Sequence, residues 1–449
     1  MTVGSHLADL VGAVQYDKGL VARSIFVDPE VYALELDRIF ANNWLFLGHE
    51  SQVAEPGDFI TTYMGEDPII VSRGHDGHVR ALLNACRHRG MRVCRSDEGN
   101  TSFFQCPYHA WTYSSAGELE GVPKFRLGYA GVLDKKEWGL REVTRVESYR
   151  GFLFGNWAPE GPSLEEWLGD FTTYFDLIFA RDPAGIEVVP GAHRWTVDTN
   201  WKIASENFAA DMYHVEHSHA RPAELGLMQA MPDEGYQISA GMGFVGHAFT
   251  RPVSEDAGGE EPLHSYWTLP NIQTEFLAEM RKQVAEEKGA ALARLIPLGH
   301  GALFPTFAFL DLEQFRLMRV HHPQGPDRTL IHQWCVLDRS LPADVKDAVR
   351  KQYELTFGPA GLLEQDDGEN WRECQNGMRG FIGRQLDSNM MLGLGLEKSA
   401  SEIVGDDNAP GVAGGIWSEG NQRRFYEHWQ RFMQAPSSAP ASEPSPGRG

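Results

Sequence analysis

Two cysteine–histidine pairs constrain this chain more than any other feature. Cys86-x-His88 in "CRHRG" and Cys106-x-x-His109 in "CPYH" have 17 residues, 89 to 105, between them. Each pair ends a short β-like run and opens into a Gly- or Pro-bearing loop. The fold must therefore present two loop tips, each with one thiolate and one imidazole, to opposite sides of a metal centre. Cys₂His₂ is a common zinc set, yet zinc fingers usually pair Cys with Cys and His with His along the chain. Mixed pairs suit a [2Fe–2S] cluster in which one iron takes both thiolates and the other both imidazoles. Neutral imidazoles leave less negative charge on such a cluster and raise its potential. Cys94 has no partner at either spacing and reads as a packed core thiol.

The surroundings supply the strands this needs. "DFITTYMG", "DPIIVSRG", "VRALLNAC" and "SFFQCPYHAWTYS" are β-branched or aromatic runs, with turns at Asp76-Gly77 and Ala116-Gly117. The character changes at Ser163, which forms a capping box with Glu166. Leu164, Trp167, Leu168, Phe171, Phe175 and Ile178 then recur at helical spacing, predicting a helix with a buried face. Further helices are expected at about 272–296, 343–357 and 419–433, with strands over much of 302–337. The reading is α+β: residues 1–39 an N-terminal segment packing on the larger domain, 40–160 a small all-β module, 161–434 a larger domain, and 435–449 a disordered Pro/Ser-rich tail.

Composition narrows the function. A formal charge of −22 argues against a nucleic-acid partner, which would need Lys and Arg facing phosphate. Five scattered cysteines do not make a disulfide framework. Neither a secretory signal nor an apolar run long enough for a membrane helix is visible. A cytoplasmic protein with no membrane partner is expected.

A cluster that passes single electrons needs a destination, and "NWKIASENFAADMYHVEHSH" offers one. Asp211 and His214, three apart, are about 60° apart on a helix and share a face. Helix geometry alone would next choose His217; His219 lies about 140° from His214 on a regular helix. Pro222 disfavours helix at Arg221, so the helix should loosen there and let His219 swing round. Two imidazoles plus a carboxylate would make a facial triad for Fe(II) with open positions. The acids Glu364, Asp366 and Asp367 in "FGPAGLLEQDDGENW" are the best source, because "GLL" and Trp371 suggest a buried flank where unpaired carboxylates are costly.

"CRHRG…CPYHAW" resembles the cluster motif of the Rieske oxygenases, and Asn207, Asp211, His214 and His219 match the Asn-x₃-Asp-x₂-His-x₄-His of ring-hydroxylating dioxygenases. The chain resembles their large (α) subunit, naphthalene/biphenyl type, over nearly all of residues 20–433. The resemblance implies a Rieske domain plus a catalytic domain with an antiparallel sheet flanked by helices. It implies Cys86 and Cys106 on one cluster iron, His88 and His109 on the other, and Trp111 beside the cluster. It implies His214, His219 and Asp367 on a mononuclear Fe(II), with Asp366 the fallback for Asp367 and His217 a bystander. Asp211, beside Asn207, would bridge His214 to the His109 of a neighbouring chain.

The implied reaction inserts both atoms of O₂ into an arene to give a cis-dihydrodiol. Electrons would come from NAD(P)H through a reductase and a ferredoxin, and the assembly would be α₃β₃ with a small β subunit. Phe208, Met212, Phe307, Phe357 and Leu363 are candidate walls for a neutral aromatic substrate. The rival readings are Rieske monooxygenation or O-demethylation with the same metals, a zinc-stabilised binding protein, and a pure electron carrier.

Overall fold

The computed structural model describes residues 12–226, 235–248 and 272–436. The tail expected to be disordered lies almost wholly outside the described residues, as does the start of the N-terminal segment. Two compact units account for the described chain: residues 36–164 with 190–192, and residues 12–35, 165–189 and 193–435. Among the described residues no helix is long and apolar enough to cross a membrane.

The smaller unit is built from antiparallel sheets. One has the order Val79–Leu83, Asp67–Arg73, Asp58–Met64, Glu98–Asn100; a second runs Leu119–Gly121, Thr112–Ser114, Phe103–Gln105; a third runs Arg145–Tyr149, Phe152–Asn156, Leu45–His49. The β-branched run Ile69, Ile70, Val71 is fully buried at the middle of the first sheet. Gly77 and Gly117 take left-handed backbone at the two expected turns (φ +82° and +89°), a region that disfavours side chains. Phe59, Ile70, Leu82, Phe104, Trp111 and Tyr113 share a core with Cys86, Cys94 and Cys106. Cys94 is thus a core thiol.

The larger unit is organised on a ten-stranded antiparallel sheet. Its central strands Gly299–Leu303, Phe307–Asp311, Arg316–Pro323 and Thr329–Asp338 are buried almost throughout. Polar residues inside such strands must find partners. Asp311 and Asp338 do so with Arg316 of the sheet and with Arg181 from outside it: Arg181 lies 2.9 Å from Asp311 and 3.4 Å from Asp338, and Arg316 bonds Asp338 closely. The helix Ala343–Phe357 packs on strand Thr329–Asp338 and starts just after Pro342, as its sequence suggested. Gly420–Gln434 is a second expected helix.

Two expected helices are interrupted. Residues 164–179 form Leu164–Leu168 and Thr172–Phe179, joined by a 3₁₀ turn beginning at Gly169 (φ +55°), with the apolar face buried as expected. Thr274–Lys288 stops at Gly289 (φ +98°).

Helix Trp201–Asn207 carries the first site residues. The Asn200 side chain caps it by accepting from the Lys202 amide. It is anchored by Glu35, which is buried between the Lys202 ammonium (2.5 Å) and the indole N–H groups of Trp201 (2.8 Å) and Trp429 (2.7 Å). The helix packs on strand Arg316–Pro323 and on helix Glu364–Arg379.

Candidate metal centres and the aromatic chamber

The two loops of the smaller unit share one backbone design. The Cys86 amide donates to the Met91 carbonyl and the Gly90 amide donates back to Cys86; Cys106 with Trp111, and Ala110 with Cys106, repeat the pattern. The fourth residue after each cysteine is left-handed, Gly90 at φ +72° and Ala110 at +56°. Each loop therefore reverses sharply after its cysteine.

Both thiols are buried, with Cys86 Sγ 3.2 Å from the Tyr113 hydroxyl. Burial raises the Cys86 thiol pKa, and the neighbouring Cys106 thiol adds to the effect. The His88 and His109 rings lie 4.5 Å apart, and Trp111 stacks on His88 at 5.1 Å and 6°. His88 Nδ1 is buried and makes no hydrogen bond among the described residues. Two adjacent sulfurs and two adjacent imidazoles thus form a donor set with its soft and borderline halves segregated.

In the larger unit the chain around the second motif departs from expectation. No single helix carries Asp211 and His214. Helix Trp201–Asn207 ends first, because Ala210 is left-handed at φ +68°. The carbonyls freed there are taken by side chains from distant segments: Gln237 donates to Ala210 (2.7 Å), and Gln422 to Glu206 and Ala209 (each 3.4 Å). Asp211 Oδ1 then accepts from the Tyr213 and His214 amides, closing a turn that leads into the short helix Val215–Ser218. The break thus falls well before Pro222, and Arg221 is itself helical. Pro222 lies in the first turn of helix Ala220–Glu224, where its missing N–H costs nothing.

This path brings His214 and His219 together, while His217 is exposed. Ligand atoms of His214, His219 and Asp367 all lie within 4.8 Å of one another. Asp367 Oδ1 is 3.4 Å from His214 Nε2 and 3.3 Å from His219 Nε2. The other ring nitrogens face other carboxylates, His214 Nδ1 with Asp211 at 3.2 Å and His219 Nδ1 with Asp366 at 3.3 Å. Asp367 is 5% exposed at its side chain and Asp366 is 42%, so the inner position belongs to Asp367. Burial works to raise the Asp367 pKa, but the two imidazoles hold it below the usual carboxylate range. Asn207 Nδ2 lies 3.3 Å from both Asp211 and His214.

Phe208 follows Asn207 and is walled by His300 (4.6 Å), His321 (5.5 Å) and Trp371 (6.4 Å). Beneath it, at 4.2 Å, is the Arg319 guanidinium, which is committed to Glu364 (2.5 and 3.2 Å) and Gln333. Met212 is buried against Ile416, and Leu363 precedes the helix bearing Asp367. Phe307 packs against Phe179 and Phe309, and Phe357 against Phe315.

Residues 166–435 match the family described as ring hydroxylating alpha subunit (catalytic domain), and residues 43–132 match the Rieske [2Fe-2S] domain. This is a ring-hydroxylating α subunit of the Rieske type. The chain is 38% identical to the biphenyl dioxygenase subunit alpha of Paraburkholderia xenovorans, over 95% of this chain and 94% of that one. It is 39% identical to a benzene 1,2-dioxygenase subunit alpha of Pseudomonas putida, over 93% and 92%. The crystal structure of naphthalene 1,2-dioxygenase from Rhodococcus sp. bound to indole superposes with a TM-score of 0.81 at 34% identity, covering 96% of this chain and 98% of that one.

Members of this family carry a Rieske [2Fe–2S] cluster and a mononuclear iron, and the α subunit described here has donors that fit both. The paired thiols and paired imidazoles suit a cluster whose two irons differ in ligation. Asp367 Oδ1, buried and facing the Nε2 atoms of His214 and His219, would suit an iron as a shared partner. The sequence reading passed over His300, His321 and Arg319. Histidines and an arginine on apolar strands carry no spacing signal; only the sheet register brings them to Phe208.

Proposed function

We propose that this α subunit is the terminal oxygenase of a system that adds both atoms of O₂ to an aromatic ring, giving a cis-dihydrodiol. The observation that carries this is the convergence of His214, His219 and Asp367 on one point, with the aromatic wall of Phe208 and Trp371 alongside. Cys86, Cys106, His88 and His109 hold the cluster, within a domain at 40–160, and the triad holds iron within a domain at 161–434. When bound, the cluster supplies electrons singly and the iron supplies activation of O₂.

The chain's own residues do the rest. Asp211 and Asp366 each hold one imidazole by its Nδ1, fixing which nitrogen faces the metal. Asn207 keeps Asp211 and His214 in register. Phe208 and Trp371 exclude water and orient a flat substrate by shape. Among the described residues the cation beneath Phe208, Arg319, is engaged by Glu364 rather than open to a carboxylate, which favours a neutral arene.

A small β subunit in an α₃β₃ ring, a ferredoxin and an NAD(P)H-dependent reductase complete the system in the cytoplasm. In such a ring Asp211 would couple to the cluster ligand His109 of a neighbouring subunit. Turnover of a neutral arene under ¹⁸O₂ is the test. Two labelled oxygens in a cis-diol are expected; one labelled oxygen, or a demethylated product, would overturn dihydroxylation in favour of monooxygenation.

A further inference from the structure

Buried polar atoms without partners gather beside Phe208. His321 is fully buried on strand Arg316–Pro323; its Nδ1 lies 3.2 Å from Ser205 Oγ, and its Nε2 makes no hydrogen bond among the described residues. His300 Nε2 and Asn207 Oδ1 share that condition. The three residues meet through one ring: Phe208 adjoins Asn207 in the chain and packs against both histidines. Trp371, one helical turn beyond Asp367, lies on His321 at 6.1 Å. His321 thus packs against both aromatic residues that flank the metal-binding segments, which also touch each other.

An arene without polar groups would leave these atoms desolvated and unpaired, which native interiors rarely tolerate. A charged substrate does not suit them either, because the adjacent Arg319 is already paired with Glu364. Burial, with the Arg319 charge added, keeps the His321 imidazole neutral. With Ser205 engaging Nδ1, the neutral ring can present Nε2 as donor or acceptor, according to tautomer. We propose that His321 is a specificity-determining residue, and that the substrate is a neutral arene bearing an oxygen substituent, hydroxyl or carbonyl, that hydrogen-bonds to His321 Nε2. This rests on the arene-oxygenase reading above and sharpens its substrate class.

The test uses the complete metal-loaded oxygenase and shape-matched probes, fluorene with 9-fluorenone and biphenyl with 2-hydroxybiphenyl. Dissociation constants are read by calorimetry without oxygen, and kcat/KM is read with it. In the parent, the oxygenated member of at least one pair should bind about tenfold more tightly, the size of one net hydrogen bond. His321→Phe should bring that ratio close to one, and His321→Gln, which keeps a polar atom at similar reach, should retain most of it. Ser205→Ala, which removes only a hydroxyl, should lower the ratio and guards against a misfolded His321→Phe. A parent ratio near one in both pairs, or a ratio unchanged in His321→Phe, overturns the proposal and leaves these atoms to ordered water. If the binding ratios behave as expected but no diol forms, the assigned reaction fails while the binding role of His321 stands.

Discussion

Asp366 Oδ2 stands 3.3 Å from His219 Nδ1, while its sequence neighbour Asp367 lies 3.3 Å from Nε2 of the same ring. Two adjacent carboxylates thus serve one imidazole from its two nitrogens. Asp367→Ala removes the carboxylate proposed to hold the iron and should abolish iron at this site. Asp366→Ala removes only the group that orients His219, so iron affinity should fall about 10- to 100-fold. Iron titration of the depleted protein, with acid-labile sulfide as an internal standard for the cluster, separates the two outcomes.

His217 and His219 make a second contrast. His219 is buried beside Asp367 and His217 is exposed. His219→Ala should empty the mononuclear site, and His217→Ala should retain its iron and most of its turnover. Iron loss in His217→Ala with retention in His219→Ala would reverse the assignment.

Glu35 and Lys202 set the helix before the metal site. Their ion pair is fully buried, and two indoles complete the hydrogen bonding of the carboxylate. Glu35→Ala would leave the Lys202 amine without its carboxylate in the core, costing about 3–5 kcal/mol. Chemical denaturation should show this as an earlier midpoint, and Glu35→Ala,Lys202→Met should recover part of it. A single variant as stable as the parent would show that the pair contributes nothing.

Asp338 gives a pH signature. Burial opposes its ionisation, but Arg316 and Arg181 prevail and hold its pKa below the ordinary value. A carboxyl depressed in the folded state contributes stability that is fully present above its unfolded pKa, near about 4, and is lost as pH falls through the folded value. Asp338→Asn should therefore be less stable than the parent throughout pH 5 to 8, with the gap narrowing only below about pH 4. Urea midpoints across that range read it directly, and a gap independent of pH down to the acid transition would contradict it.

What could be read from the sequence and what could not divide along physical lines. Cys86, His88, Cys106 and His109 sit in two short loops whose design is local, so spacing alone singles them out. The β-branched runs and the helix Ala343–Phe357 were legible for the same reason. The path from Asn207 to His219 was not. It turns on a left-handed Ala210 held by Gln237 and Gln422, more than twenty residues away in each case, and no local rule contains that. Helical geometry consequently favoured His217, and only the resemblance pointed to His219. Glu35, Arg319 and His321 lay hidden for a related reason: a lone polar residue in an apolar stretch shows its partner only when the sheet and helices are assembled.

Metal analysis of matched variants distinguishes two separate iron centres in one chain from a single one. The parent should show the two irons and two sulfides of a [2Fe–2S] cluster plus one further iron, and a Rieske-type EPR signal on reduction. His214→Ala should lose only the further iron, keeping sulfide and signal; Cys106→Ala should lose sulfide and signal. A well-folded, reconstituted parent without that signal, or a His214→Ala variant whose sulfide falls with its iron, would mean that the chain does not hold two independent iron centres.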